Sequence, residues 1–268
     1  MKINKMNGKM YIGAILLILI FLFVLWGIIG TPYDPKAMDA SMRLAKASSK
    51  HIMGCDQFGR DIFSRVLIGI RTTFTIALGT NLIGVFFGTL IGALTGYYGG
   101  WIDQILMRFN DAILSFPSIL LALVFIALMG CGTYQIMIAM GIVFVPSYAR
   151  IVRSEFMKCR NREYVQSVRL MGASDLRIMF IHIFPNTRQT LIASLIIGFN
   201  NAVLCEAAMS FLGLGVQPPD ASLGLMLSDA QAFLFSAPLY ALTVGIVMVL
   251  LILSFALLSD AISEVYHA

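Results

Sequence analysis

Glu163-Tyr164-Val165-Gln166-Ser167-Val168-Arg169-Leu170-Met171-Gly172-Ala173-Ser174-Asp175-Leu176-Arg177, followed shortly by His182-Ile183-Phe184-Pro185-Asn186, are the residues on which the reading of this chain turns. They lie in a polar stretch, Arg150 to Arg188, that holds eight of the 19 Lys and Arg residues and is set between two strongly apolar runs. Tyr164, Val165, Val168 and Met171 recur at three- and four-residue steps with Glu163, Gln166 and Arg169 between them, which is the period of an amphipathic helix. Gly172 suits the C-terminus of that helix, where a left-handed residue is cheapest as glycine. Ser174 or Asp175 is placed to cap a second helix, with Leu176, Met179 and Phe180 as its apolar side. Pro185, thirteen residues after Gly172, is expected to end that helix and direct the chain into the next apolar run. A short helix–turn–helix beside an apolar run has the geometry of a docking lever. A basic loop resting on anionic lipid headgroups would need neither the periodicity nor the placed Gly and Pro.

Working outward, 59% of the 268 residues are hydrophobic and only 12% are charged, against about 25% charged in a soluble domain. The chain reads as an integral membrane protein with little room for a separate soluble domain. Its net charge of +5 does not point to nucleic acid, because the basic residues flank apolar runs as they do on the inner surface of a membrane. Cys55, Cys131, Cys159 and Cys205 are scattered, and His51, His182 and His267 are equally isolated. No zinc or redox spacing results, and no metal or cofactor is expected on this chain.

Six segments meet the length of about 20 apolar residues that a membrane helix needs: Tyr11 to Gly30, Phe74 to Gly96, Ala112 to Met129, Tyr134 to Ala149, Thr190 to Leu212 and Leu239 to Leu258. The fold class expected is all-α, with six transmembrane helices and an interior helix–turn–helix. The first span follows Lys2, Lys5 and Lys9, but its apolar run outlasts a signal-peptide core and no small-x-small site follows, so it reads as an uncleaved anchor. The loops and tails on the side of both termini carry about twelve Lys and Arg, against about seven on the other side, which places both termini in the cytoplasm. The organisation expected is a cytoplasmic tail over 1–10, an anchor helix over 11–30, an extracytoplasmic segment over 31–73, a transmembrane core over 74–258 that includes the 150–188 loop, and a tail over 259–268.

Several residues within this frame are candidates for packing or function. Gly84, Gly88, Gly92 and Gly96, extended by Thr80, share one face of the second span and favour close helix packing, either within the chain or against a second subunit. Glu206 is an ionisable group inside the fifth span and, with Asn200 and Asn201, either lines a path or bonds a neighbouring helix. Arg108 and Asp111 are spaced to pair at i, i+3, near Asp103. Asp56 to Arg71 reads as an amphipathic helix on the outer face, with Arg60, Asp61, Arg65 and Arg71 set around Ile62, Phe63, Val66 and Leu67.

The segment from Glu163 to Arg177 and on to Asn186 resembles the EAA loop of ABC-importer permeases, and more narrowly that of the dipeptide, oligopeptide and nickel branch. The family pattern E-A-A-x-x-x-G, nine residues, I-x-L-P aligns with Gly172 and Pro185 in place. Gln166-Ser167-Val168 stands where the family has E-A-A, and His182 and Phe184 replace its Ile and Leu. The likeness runs almost end to end. It includes Tyr33-Asp34-Pro35, the stretch from His51 to Arg65 with Cys55 where the branch usually has Thr, Gly96 to Asp103 with Met107-Arg108, Asp111 and Phe116-Pro117, and Glu206 to Pro219 with Gly224. Ser259-Asp260 fits as well, but the usual basic tail is replaced by Ile262 to Ala268.

The resemblance implies a type I importer permease that pairs with a second, similar permease. It implies two cytoplasmic ABC ATPases carrying ATP and Mg, and an extracytoplasmic substrate-binding protein. The coupling residues carried over are Glu163, Tyr164, Gln166, Arg169, Gly172, Ala173, Ser174, Asp175 and Pro185. No G-x-x-x-x-G-K-[ST] phosphate loop occurs in the chain, in keeping with ATP hydrolysis on another polypeptide. Di- and oligopeptides are the substrates expected, with nickel or a metal chelate as the alternative. A stand-alone secondary transporter would instead predict inverted repeats and mid-membrane charges, and a membrane enzyme would predict a clustered His, Cys or acid constellation.

Overall fold

The computed structural model describes residues 8–267, and within them every named element is a helix, with no named strand. The tail expected over 1–10 lies outside the described residues as far as position 7. The helices are α1 (Gly8–Ile29), α2 (Ile62–Tyr98), α3 (Gly100–Leu114), α4 (Ser118–Met129), α5 (Thr133–Cys159), α6 (Glu163–Leu170), α7 (Asp175–Arg177), α8 (Phe184–Phe211), α9 (Leu223–Gln231) and α10 (Pro238–His267). A π-helical stretch, Ile178–Ile183, joins α7 to α8. Among the described residues five stretches are long and apolar enough to cross a membrane, or six if α3 and α4 count as one bent span. The tail expected from residue 259 is, as far as it is described, the end of α10.

Three expectations change in detail. The amphipathic helix read over Asp56–Arg71 is not a separate surface element. From Ile62 onward it is the beginning of α2, whose 37 residues extend about 55 Å, well beyond a hydrocarbon core of about 30 Å. Four of its charged residues are not on an outer face: Asp56, Arg60, Asp61 and Arg65 are all buried, and of the expected set only Arg71 is exposed. The third span is broken, because α3 and α4 meet at 90° across Ser115-Phe116-Pro117. A residue before proline is pushed out of the helical region, so the helix stops there. Pro185 does not end a helix either. The helix runs from Asp175 to Phe211, and just before the proline it widens so that the Phe184 N–H donates to the Met179 carbonyl, five residues back. That widening makes room for a ring that would otherwise meet the carbonyl of the preceding turn.

The chain divides into two compact units. One holds the chain up to Leu78, Ile126–Met137 and Phe199 onward, and the other holds Gly79–Phe125 and Ile138–Gly198. In the first unit α1 packs along α10, Phe199 stacks on Phe255 with centroids 3.9 Å apart, and Phe74 meets Phe199 at a tilt, 5.3 Å away. The segment before α2 neutralises its buried charge internally. The Asp56 carboxylate accepts from the backbone N–H groups of Phe58 and Arg60 and from Arg60 Nε at 2.7 Å, and Arg65 Nε lies 3.4 Å away. Asp61 accepts from the Ser64 N–H at the start of α2 and sits 2.9 Å from His51 Nδ1.

In the second unit the glycine stripe of α2 packs within the chain. The Cβ positions of Gly88, Gly92 and Gly96 fall 2.5–2.6 Å from atoms of Tyr148, Ala149 and Phe156 on α5. Thr80 extends the same face and is buried. α3 is tied to α5 by Arg153, which forks onto Asp103 at 2.5 and 2.6 Å, and by Arg150, which reaches Asp111 at 2.8 Å. Asp111 therefore pairs with Arg150 of another helix and not with Arg108, the partner expected from spacing along its own helix.

Candidate functional site

The helix–turn–helix lies wholly in the second unit. Arg162 N-caps α6, with Glu163 in the first turn and Arg169 in the last, the charge order that the helix dipole favours. The end of α6 is a Schellman motif. The Gly172 N–H donates to the Arg169 carbonyl and the Ala173 N–H to the Val168 carbonyl, with Gly172 at φ +81°. Ser174 occupies the N-cap of α7, but its side chain makes no capping bond; its backbone carbonyl accepts from the Ile178 N–H. Asp175 points elsewhere and accepts from the Tyr97 hydroxyl at 2.6 Å. Tyr164 is bonded by Asn186 Nδ2 at 3.1 Å, which ties α6 to the first turn of α8. Burial first, and then the Cys159 thiol beside it, push the Tyr164 phenol above its ordinary range.

The element has two faces. Val165, Ile178, Met179 and Ile183 are fully buried in a cluster with Ala93, Tyr97, Tyr148, Val152, Phe156 and Leu191, and Val168 and Ala173 pack at its edge. The opposite end is open: Leu170 is 89% exposed, Met171 76% and Leu176 66%, and nothing lies within 4 Å of where a Gly172 side chain would start. Met171, Leu176 and Phe180, expected on the inner side, are thus exposed: Met171 lies past the last residue of α6, and Leu176 and Phe180 follow the Schellman turn at Gly172, which breaks the helical phase. Glu163 and Gln166 are exposed on α6, and Pro185 sits in the first turn of α8. Leu170 was not singled out from sequence, although its place at the end of α6, two residues before the glycine, marks it as a tip residue.

The other candidates lie in the first unit. Glu206 is fully buried, and its carboxylate accepts from Ser210 Oγ at 2.7 Å and Thr73 Oγ1 at 3.1 Å. Thr73 Oγ1 accepts in turn from the Leu223 N–H, and Ser222, which caps α9 through the Leu225 N–H, lies 3.5 Å from Ser210 Oγ. This is the geometry of helix packing, joining α2, α8 and the start of α9. Asn200 is half-buried with its Oδ1 enclosed and unpaired, and Asn201 is exposed. Among the described residues no three His, Cys, Asp or Glu side chains are grouped to hold a metal.

Residues 88–266 match the model of the binding-protein-dependent transport system inner membrane components, a span from the last third of α2 into the end of α10. The chain belongs to this family. Among curated members, it is 36% identical over 260 residues to the dipeptide transport system permease protein DppC of Alkalihalophilus pseudofirmus, covering 97% of this chain and 86% of that one. It is 36% identical over 253 residues to the glutathione transport system permease protein GsiD of Pectobacterium atrosepticum, covering 94% and 84%. Of solved structures, an inward-facing crystal form of the MetNI methionine ABC transporter shares the fold, with a TM-score of 0.62 at 17% identity, covering 75% of this chain and 95% of the other. The transport-permease membership accounts for the apolar composition and the five or six spans, and the chain is a multi-pass inner-membrane component with a type I importer fold.

Proposed function

We propose that this permease forms half of the translocation pathway of an ATP-driven importer for di- or oligopeptides, and that Glu163–Pro185 docks a cytoplasmic ATPase. The observation that carries the docking reading is the exposed apolar tip, Leu170, Met171 and Leu176, on an element whose other face is sealed into the α2–α5 cluster. An exposed apolar patch with a rigid base is an interaction site. Its seat among basic residues agrees with the cytoplasmic placement of this loop and of both termini. The peptide assignment is supported by the transport of dipeptide and glutathione that the relatives' names describe.

The mechanism follows from these parts. Two ATPases, bound to this chain and to a second permease, close on ATP and move the docked tips. The buried face of the element passes that displacement to α2, α5 and α8 at Tyr97, Phe156 and Leu191. The helices then switch between inward- and outward-facing states, and an external binding protein delivers the peptide. Coupling of this kind needs an element that both the ATPase and the pathway bias.

Purification of the tagged chain from native membranes in mild detergent tests the assembly. A second permease, P-loop ATPases and a peptide-loaded binding protein are the expected companions. A chain recovered alone, or only with copies of itself, overturns the docking reading and makes stand-alone transport the working description. A binding protein loaded with nickel or a chelate overturns the peptide assignment alone.

A further inference from the structure

We propose that the hydroxyl of Tyr97 is a positioning group for coupling, a latch that fixes the angle between the two arms of the docking element; this rests on the docking reading above. Tyr97 is the penultimate residue of α2, and its ring is buried in the cluster beneath α6. Its hydroxyl emerges where the two arms converge. It donates to Asp175 Oδ1 at 2.6 Å, at the first residue of α7, and accepts from Arg169 Nη2 at 3.1 Å, in the last turn of α6. A phenol offers one donor and acceptor lone pairs, and here both roles are used with the correct polarity, each toward a charged partner. The Arg169 guanidinium also lies 5.6 Å from the centre of the Tyr97 ring.

The latch matters because of what joins the arms. Between α6 and α7 run only Met171–Ser174, with Gly172 in the left-handed region and open space around it. That is a hinge. The buried Val165, Ile178 and Met179 hold the base of the element in place. Apolar burial is non-directional, so it leaves the angle at the tip to other contacts. A lever that flexes at Gly172 would absorb the ATPase movement instead of passing it on. The Tyr97 hydroxyl spans the hinge from α2, so tip and span move as one body. The ring alone would serve the fold, whereas the hydroxyl contributes only this cross-hinge bonding.

The test uses the whole transporter in proteoliposomes, with ATP hydrolysis and uptake measured on the same preparation. Tyr97→Phe keeps the buried ring, so the ATPases are expected to co-purify in the wild-type ratio. Uptake per ATP hydrolysed is expected to fall at least about fivefold, the factor for one hydrogen bond of ordinary net strength, because the variant loses two bonds to charged partners. Asp175→Ala, at an exposed position, is expected to lower the same ratio, and the double variant no further than the worse single one, because the two groups act through one another. An unchanged ratio in Tyr97→Phe, or losses that multiply in the double variant, overturns the latch. A wild-type chain that carries no ATPase overturns the docking reading and the latch with it, so the two failures are distinct.

Discussion

Gly92 of α2 lies so close to Ala149 of α5 that a methyl group on Gly92 would stand 2.5 Å from the Ala149 carbonyl oxygen. No side chain fits against backbone at that distance, so the two helices approach as closely as they do only because the residue is glycine. Gly92→Leu is expected to push α2 and α5 apart at a cost of about 1–3 kcal/mol or more, seen as a lowered thermal unfolding midpoint in detergent. Gly245→Ala in α10, where nothing lies within 4 Å, is the control and is expected to be neutral or stabilising. Equal effects of the two would mean that the stripe does not set this packing.

Glu206 separates a packing role from a pathway role. Its carboxylate is the acceptor for the Ser210 and Thr73 hydroxyls in a fully buried site. Glu206→Ala strands those hydroxyls and is expected to cost about 1–3 kcal/mol, whereas Glu206→Gln keeps an acceptor oxygen and costs less. Thermal unfolding of both variants reads this difference. Full stability in Glu206→Ala together with lost uptake would place Glu206 on the pathway instead.

How much of this architecture was legible depended on whether the deciding interactions were local. The turn at Gly172 was readable because the Schellman motif spans only Val168 to Ala173. The inner face of α6 was readable in part: Val165 and Val168 face inward, but Met171 lies past the helix end and Leu176 past the turn, and both come out exposed. The start of α2 was hidden. Arg60, Asp61 and Arg65 look like surface charges until Asp56 and His51 are seen to pair with them from the preceding segment. Asp111 misled for the same reason, since Arg150, thirty-nine residues away, is its partner and Arg108, on its own helix, is not. Tyr97 carried no local sign at all, because its two polar partners lie more than seventy residues along the chain.

Asp229 gives a pH signature. Burial in α9 holds its carboxyl above the usual range, against the opposing pull of the Gln57 amide and then the Arg65 and Arg60 charges. With the folded value raised above the unfolded one, the charged form costs stability at high pH, and that cost is relieved as pH falls through the folded value. Asp229→Asn removes the ionisation, so it is expected to raise the unfolding midpoint at neutral and alkaline pH and to change it little in acid. A variant equally stabilising at every pH, or destabilising at neutral pH, would show that Asp229 does not carry this cost.

Gly172 offers the sharpest separation of folding from coupling. At φ +81° a side chain strains the backbone, by about 1–2 kcal/mol for an ordinary residue, yet no atom within 4 Å would clash with one. Gly172→Val should therefore leave the spans and their packing intact, and the protein should reach the membrane in normal amount. The strain falls on the turn alone, so the turn opens or shifts and displaces the Leu170–Leu176 tip proposed to meet the ATPase. Uptake per ATP hydrolysed is expected to drop while hydrolysis persists. Gly172→Asn, a residue that tolerates the left-handed region, should retain most of the coupling, which ties the effect to backbone conformation and not to the loss of glycine as such. Normal coupling in Gly172→Val would mean that the turn does not transmit the stroke, and the element would then be a passive support.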